Sequence, residues 1–193
     1  MRGWRPQREA AARNERTIVD AATALFRERG VASVEVRDIA ARAGVGVGTV
    51  YRRFGDKASL IAAVLGEQER ELQDRLLSGP PPLGPGAPPA ERLVAFLQAL
   101  CALTEANADV LAASEGAAPG ARYRVGAYQA WRLHVSMLLQ AIDPALDAPW
   151  WAETLLAPLQ ASLYLQQRRE QGFSAQRIAA GVVDAARRLT ANN

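Results

Sequence analysis

Cations and hydroxyl groups are concentrated in one short segment of this sequence. The segment holds Thr49, Tyr51, Arg37, Arg52, Arg53 and Lys57. Hydroxyl and cationic groups bind phosphate oxygens, and Thr and Arg side chains also bind the edges of bases. Val47 and Gly48 come directly before Thr49, and a glycine lets the backbone approach a duplex closely. These eight residues are therefore our candidate contacts to double-stranded DNA.

Two short helices are expected to position these side chains. The pattern predicts helices over Val36–Ala43 and Val47–Phe54, joined by a tight turn that begins at Gly44. Gly44 can adopt the positive φ that such a turn needs, and Ala40 is small where the two helices must approach. A short helix, a tight turn and a second short helix make a helix-turn-helix, whose second helix enters the major groove of DNA.

The distribution of charge agrees with that prediction. The chain of 193 residues carries a net charge of +3, with 49% hydrophobic and 22% charged residues, which is typical of a globular protein. Residues 1–60 hold 12 Lys and Arg against 7 Asp and Glu, whereas residues 61–193 hold 11 against 13. The basic excess is thus confined to the N-terminal third, as expected where only one end of a protein meets a polyanion.

Single copies of cysteine and histidine exclude several classes of function. Because Cys101 and His134 are the only residues of their types, the chain has no intrachain disulfide and lacks the groups of most zinc and histidine-based catalytic sites. We expect no enzymatic activity, no metal and no cofactor. A lone cysteine suits the cytoplasm, and we predict neither a signal peptide nor a membrane span, since polar residues interrupt the apolar stretch Leu93–Ala113.

The rest of the chain is expected to be all-α. We assign 1–12 to a flexible basic arm, 13–59 to a three-helix DNA-binding domain and 60–193 to a larger helical domain for ligand binding and dimerisation. A Pro- and Gly-rich loop at 79–89 interrupts the larger domain. The predicted helices after the second short one are Lys57–Leu77, Ala90–Asn107, Asp109–Glu115, Ala121–Ile142, Trp150–Gln171 and Ser174–Ala191.

Residues 13–66 resemble the DNA-binding region of the tetracycline-repressor (TetR) family. The matching residues are Ala22, Leu25, Phe26, Gly30, Ile39, Ala40, Ala43, Gly44, Val45, Gly48, Thr49, Val50, Tyr51, Phe54, Lys57 and Leu60. The resemblance implies a helical homodimer that binds a palindromic operator. It also implies a C-terminal domain that binds a small-molecule effector and dimerises through its last two helices.

Two positions depart from the family pattern. Glu35 and Gly46 stand where the family usually has hydroxyl residues that cap the two helices, so we assign no DNA contact to either. N-terminal arginines offer a compensating arm along the duplex, although a solvated tail is the favoured alternative. These arginines are Arg2, Arg5, Arg8 and Arg13.

The C-terminal domain carries candidates for two further surfaces. Aromatic and soft side chains that suit an effector cavity are Phe96, Cys101, Tyr128, Trp131 and His134, for which core packing is the alternative. Apolar stripes predict a dimer interface through Leu155, Leu159, Leu163, Ile178, Val182 and Leu189, with burial inside one subunit as the alternative.

Taken together, these features favour a transcriptional regulator that an effector releases from DNA by moving the helix Lys57–Leu77. A repressor is the first interpretation. An activator of the same fold and a helical protein-interaction or scaffold module are the alternatives.

Overall fold

The computed structural model describes residues 4–115 and 126–191, and the side chains of 4–9 and 113–115 are not discussed. The described residues form nine α-helices and no strand, which confirms the all-α prediction. The helices are α1 (Trp4–Arg29), α2 (Val36–Ala43), α3 (Val47–Phe54), α4 (Lys57–Ser78), α5 (Pro89–Glu115), α6 (Gly126–Ile142), α7 (Ala148–Leu156), α8 (Ala161–Arg169) and α9 (Ala175–Thr190).

The chain divides into two compact units at Glu67 and Gln68, inside α4. The predicted boundary after residue 59 lies earlier in the same helix. The first three turns or so of α4 belong to the first unit, because they lie close to the N-terminal helices. The four predicted helices of the N-terminal region are all present, and α2 and α3 have the expected bounds.

The first unit packs α1 on α2 and α2 on α3. Its buried side chains include Ile18, Ala22, Leu25, Phe26, Val34, Ile39, Ala40 and Val50. At the surface, the Arg42 guanidinium donates to both carboxylate oxygens of Glu28 at 2.9 and 2.7 Å, which links α2 to α1. That ion pair lowers the pKa of Glu28.

The flexible arm assigned to residues 1–12 is not what the structure shows from Trp4 onwards. That segment is the start of α1. Pro6 lies in the first helical turn, where its missing N–H costs nothing, and Ala10, Ala11 and Ala12 favour helix. The alternative of a disordered tail is wrong for the described residues for the same reason.

Another helix prediction needs correction. Pro158 ends α7 in a short 3₁₀ turn, Ala157–Leu159, so the single helix predicted over Trp150–Gln171 is two helices. The break predicted at Asn107 is present, because Asn107 leaves helical geometry (φ −130°, ψ 15°) and divides α5 into two helical segments across a kink. Residues 121–125 of the helix predicted over Ala121–Ile142 lie outside the described residues.

The second unit has one hydrophobic core, in which α5 contacts α6, α8 and α9 and α6 contacts α7. The loop after α4 contributes Leu83 to this core. Among the described residues, Pro89–Ala112 is long and apolar enough to cross a bilayer, but half of its apolar window is buried, as in the core helix of a globular domain.

A polar cluster joins α8 to α5 at the edge of this core. The hydroxyl of Tyr164, which is fully buried, donates to Glu105 Oε2 at 2.6 Å. Arg168 donates to both oxygens of Glu105 at 3.1 and 3.0 Å. Arg168 lowers the pKa of the Glu105 carboxyl, and burial raises the pKa of the Tyr164 phenol. In this cluster the carboxylate of Glu105 is therefore hydrogen-bonded to both Tyr164 and Arg168.

Most of the predicted dimer residues are inside this core. Leu155, Leu159, Ile178 and Val182 are buried within the chain, and Leu189 is half-buried against the same core. The intermolecular surface stays a prediction, because three of the four buried side chains, Leu155, Ile178 and Val182, also line an apolar groove. Their stripes are covered by neighbouring helices of the same unit, which was the stated alternative. Leu163 is half-buried, so it is also a poor candidate for a free surface.

Candidate nucleic-acid interface

The turn between α2 and α3 is built from local geometry. Gly44 adopts the left-handed conformation (φ 67°, ψ 28°), as predicted, and the Val45 amide donates to the Ala40 carbonyl at 3.0 Å. Ala40 and Val50 are almost fully buried, so small and β-branched side chains fill the angle between the helices. This packing fixes the direction in which α3 presents its other face to solvent.

Both helices begin without the usual hydroxyl cap. At the start of α2 the Asp38 carboxylate accepts a hydrogen bond from the Glu35 amide at 3.0 Å, which is one half of a capping box, and Glu35 itself stands at the position of the usual hydroxyl. The cap of α3 is Gly46, whose carbonyl accepts from the Thr49 amide at 2.8 Å. The next helix, α4, begins as predicted, with Asp56 Oδ1 accepting from the Ser59 amide at 2.7 Å. This bond lowers the pKa of Asp56.

The exposed face of α3 contains the predicted contact residues. Val47 is 40% exposed and Tyr51 is 51% exposed, and Gly48, Arg52 and Arg53 are exposed too. Thr49 is half-buried and accepts a hydrogen bond from Arg52 Nη2 at 3.2 Å. Large apolar and aromatic side chains are seldom left in water without a partner, so this face is suited to binding another molecule.

Two of the predicted cations already have acidic partners. Arg37 Nε lies 2.9 Å from Glu35 Oε2 in an exposed pair, so the charge of Glu35 is balanced by its neighbour. Arg53 forms an ion pair with Glu15 of α1. Asn14 and Glu15 of α1 line one side of a shallow groove, and Thr49, Arg52 and Arg53 line the other. Glu15 was missed from the sequence because it lies 38 residues from Arg53 and no local rule joins them.

Lys57 has a structural role that the sequence did not reveal. Its ammonium donates to the carbonyl of Val31 at 2.7 Å, in a half-buried position. The hydrogen bond joins the start of α4 to the segment between α1 and α2. A phosphate is therefore not needed to explain a cation at this helix start, although an ammonium has two further N–H groups to donate.

The candidate cavity residues lie in the second unit. Phe96, Cys101, Tyr128 and Trp131 are buried in its core, so core packing describes these side chains in the structure. Burial raises the pKa of the Cys101 thiol to about 11. Tyr128 donates its hydroxyl to Glu153. His134 is half-buried and contacts the edge of the Phe96 ring, with centroids 5.0 Å apart.

The fold and this surface define a protein of the helix-turn-helix class. Residues 18–64 match the family described as bacterial regulatory proteins, tetR family. The HTH-type transcriptional repressor Rv3405c of Mycobacterium tuberculosis is 48% identical over 64 residues, which are 33% of this chain and 34% of that protein. The repressor KstR of Rhodococcus jostii is 38% identical over 80 residues, 42% of this chain and 35% of KstR. The N-terminal region of the chain is therefore similar to the TetR family, as the resemblance predicted.

The chain matches about a third of the length of these curated relatives. Solved structures are similar over most of the chain. A TetR-family regulator from Rhodococcus sp. has a TM-score of 0.67 at 20% identity and covers 93% of this chain and 99% of its own. A transcriptional regulator from Saccharomonospora viridis, solved in complex with choline, has a TM-score of 0.69 at 22% identity, with coverages of 90% and 95%. These likenesses show the fold.

Two glycines in the motif are expected to respond oppositely to alanine. An added methyl group meets nothing within 4 Å at Gly44 or Gly48, but only Gly44 has positive φ. Gly44→Ala should therefore lower the free energy of unfolding by about 1 kcal/mol, and Gly48→Ala should raise it by up to about 1 kcal/mol. Gly48 is exposed on α3 at a position predicted to contact DNA, so Gly48→Ala should nevertheless bind its operator more weakly. Chemical denaturation measures the two changes in stability, and a binding titration measures operator affinity. A destabilised Gly48→Ala would contradict the placement of Gly48 in the exposed interior of a regular helix.

Neutralising Glu15 is expected to strengthen DNA binding. Glu15→Gln removes a negative charge beside α3 and frees Arg53 to contact a phosphate. We expect an operator affinity up to about fivefold higher at low salt, because one exposed charge pair contributes up to about 1 kcal/mol. Asp20→Asn, on the exposed part of the same helix, is the matched change of charge. Equal gains in both variants would assign the effect to net charge and not to Arg53.

Proposed function

We propose that this chain is a sequence-specific DNA-binding transcriptional regulator, a repressor that a small-molecule effector releases from its operator. The observation that carries the proposal is the exposed face of α3, on which Val47, Gly48 and Tyr51 lie. The opposite face of α3 packs against α2 through buried side chains, which fixes the orientation of the exposed face. A cytoplasmic protein that acts by binding, without catalysis or a cofactor, fits this surface. The names of the repressors Rv3405c and KstR support the direction of regulation.

A homodimer is part of the proposal, because a palindromic operator needs a two-fold protein. We assign the dimer surface to a shallow apolar groove beside the Pro158 break, which the predicted interface residues Leu155, Ile178 and Val182 help to line. The groove has a volume of about 300 Å³, and α7 and α9 line it with side chains that include Trp151, Thr154, Gly181 and Ala185. A second copy of this chain covers the groove in the proposed dimer.

Effector binding acts through α4 in this proposal. The helix is continuous from Lys57 to Ser78 and passes from one compact unit into the other. The effector must bind more tightly to the dimer whose recognition helices no longer fit successive major grooves. The neighbour solved with choline supports a small molecule as the effector class.

Selection of bound duplexes from random DNA, followed by a footprint and a salt titration, tests this function. A ligand-responsive dimer should select a palindrome. Its affinity should fall by about 10³-fold or more between 50 and 200 mM salt if the dimer contacts six or more phosphates. Sedimentation at the same salt concentrations measures the dimer separately. A flat salt dependence with no footprint would exclude DNA binding and favour the protein-interaction alternative, and loss or gain of promoter activity on deletion separates activator from repressor.

A further inference from the structure

Two buried nitrogen atoms of the second unit have no hydrogen-bond partner. They are Arg92 Nε, near the start of α5, and His134 Nε2, on α6. Buried polar atoms in proteins are almost always paired with protein, water or a bound molecule. Arg92 Nε can only donate, so this position lacks an acceptor.

The surroundings of the two nitrogens combine positive charge with an apolar wall. The Phe96 ring is fully buried and meets the His134 ring edge to face. Burial and, secondarily, the positive charge of Arg92 lower the pKa of His134, so the charge of the guanidinium is felt at the imidazole. Arg92 and His134 are each half-buried as residues while the two nitrogens themselves are buried, so a ligand reaches the nitrogens only when these side chains shift.

We propose that Arg92, His134 and Phe96 form a binding site for a small organic acid, whose carboxylate accepts from Arg92 Nε and His134 Nε2 and whose apolar part contacts Phe96. A carboxylate supplies the missing acceptors and balances the charge of the guanidinium. The inference rests on the proposed function and gives the effector a chemical class. A cation is disfavoured at this site, because Arg92 would repel it.

Titration of the full chain with octanoate tests the site. The chain has one histidine, so one imidazole signal in the nitrogen-15 NMR spectrum reports directly on His134. Octanoate should shift that signal saturably, and calorimetry should give its Kd. 1-Octanol has the same chain without the charge and should bind at least tenfold more weakly, and choline should not bind.

Variants of Arg92 separate the site from general stickiness. Arg92→Gln should weaken octanoate binding at least tenfold, since a hydrogen bond to a charged group contributes about 1.5–3 kcal/mol. Arg92→Lys keeps the charge but lacks the Nε–H donor, so its affinity for octanoate should lie between those of the parent chain and Arg92→Gln. Arg187→Gln removes an exposed arginine of α9 and should bind octanoate normally. Thermal unfolding of each variant confirms that the fold is intact.

Three results would overturn the site: equal binding of octanoate and 1-octanol, normal octanoate binding by Arg92→Gln, or a His134 signal that no carboxylate moves, which would mean that water satisfies both nitrogens. Release of DNA is measured separately. Octanoate that binds through Arg92 without releasing the operator refutes the effector role alone, and a free chain that binds no operator refutes the proposed function alone.

Discussion

Replacing Tyr51 by alanine is expected to weaken operator binding by about tenfold or more without unfolding the protein. The side chain is half exposed on α3, so its removal leaves no cavity in the core. Its ring and hydroxyl are both available to the duplex, and contacts of this kind contribute on the order of 1–3 kcal/mol each. A fluorescence-anisotropy titration with the selected operator measures the loss of affinity.

Tyr51→Phe is the matched control, since it removes only the hydroxyl. If the hydroxyl donates to a phosphate, Tyr51→Phe should lose part of the affinity equally on specific and unrelated duplexes. Tyr51→Ala should keep the unfolding temperature of the parent chain and its dimer. Normal operator binding by Tyr51→Ala would show that α3 does not present this side chain to DNA.

Replacing Tyr164 by alanine is expected to destabilise the second unit by about 3–5 kcal/mol. Tyr164 is the largest of the fully buried side chains, and its loss leaves a cavity between α8 and α5. The first unit contains none of these contacts, so DNA-binding residues are unchanged by the substitution. Chemical denaturation monitored by tryptophan fluorescence measures the loss, because all four tryptophans but Trp4 lie in the second unit.

Tyr164→Phe separates the ring from its hydrogen bond. It should cost only about 1 kcal/mol, because Arg168 still satisfies both oxygens of Glu105. Since the pKa of Glu105 is lowered in the folded chain, its stabilising effect is present above the ordinary glutamate pKa and is lost as the pH falls through the lowered value. Glu105→Gln should remove that part of the acid sensitivity. A Tyr164→Phe variant as unstable as Tyr164→Ala would mean that the hydrogen bond, and not the packing, holds the helices together.

Local chemistry explains why the DNA-binding motif was predictable. The bounds of α2 and α3 follow from residues within each helix or next to it, such as Gly44 at the end of one and Gly46 before the other. The exposed positions of Val47 and Tyr51 then follow from helical spacing. Nothing local, however, places Glu15 beside Arg53 or the Val31 carbonyl beside Lys57, because those contacts depend on how α1 packs.

The second unit was harder to predict for a related reason. An apolar stripe shows that a helix face is covered but not by what, so Leu159 and Val182 were assigned to a partner although the chain itself buries them. Pro158 was visible in the sequence, and its effect on the helix around it was underestimated. Contact residues of the effector and of the dimer remain predictions, because they depend on molecules other than this chain.

The acidic partners of Arg37 and Arg53 bear on how such a protein searches a genome. In the proposed complex with DNA, phosphates compete with Glu35 and Glu15 for these two arginines, and this holds for every duplex. On DNA of arbitrary sequence, phosphate contacts supply nearly all of the binding free energy, so this competition shortens the lifetime of each nonspecific complex. At the operator, base contacts are added and keep the complex together. The cost of displacing the two carboxylates is common to all duplexes, so it lowers both affinities and leaves the ratio between specific and nonspecific binding unchanged.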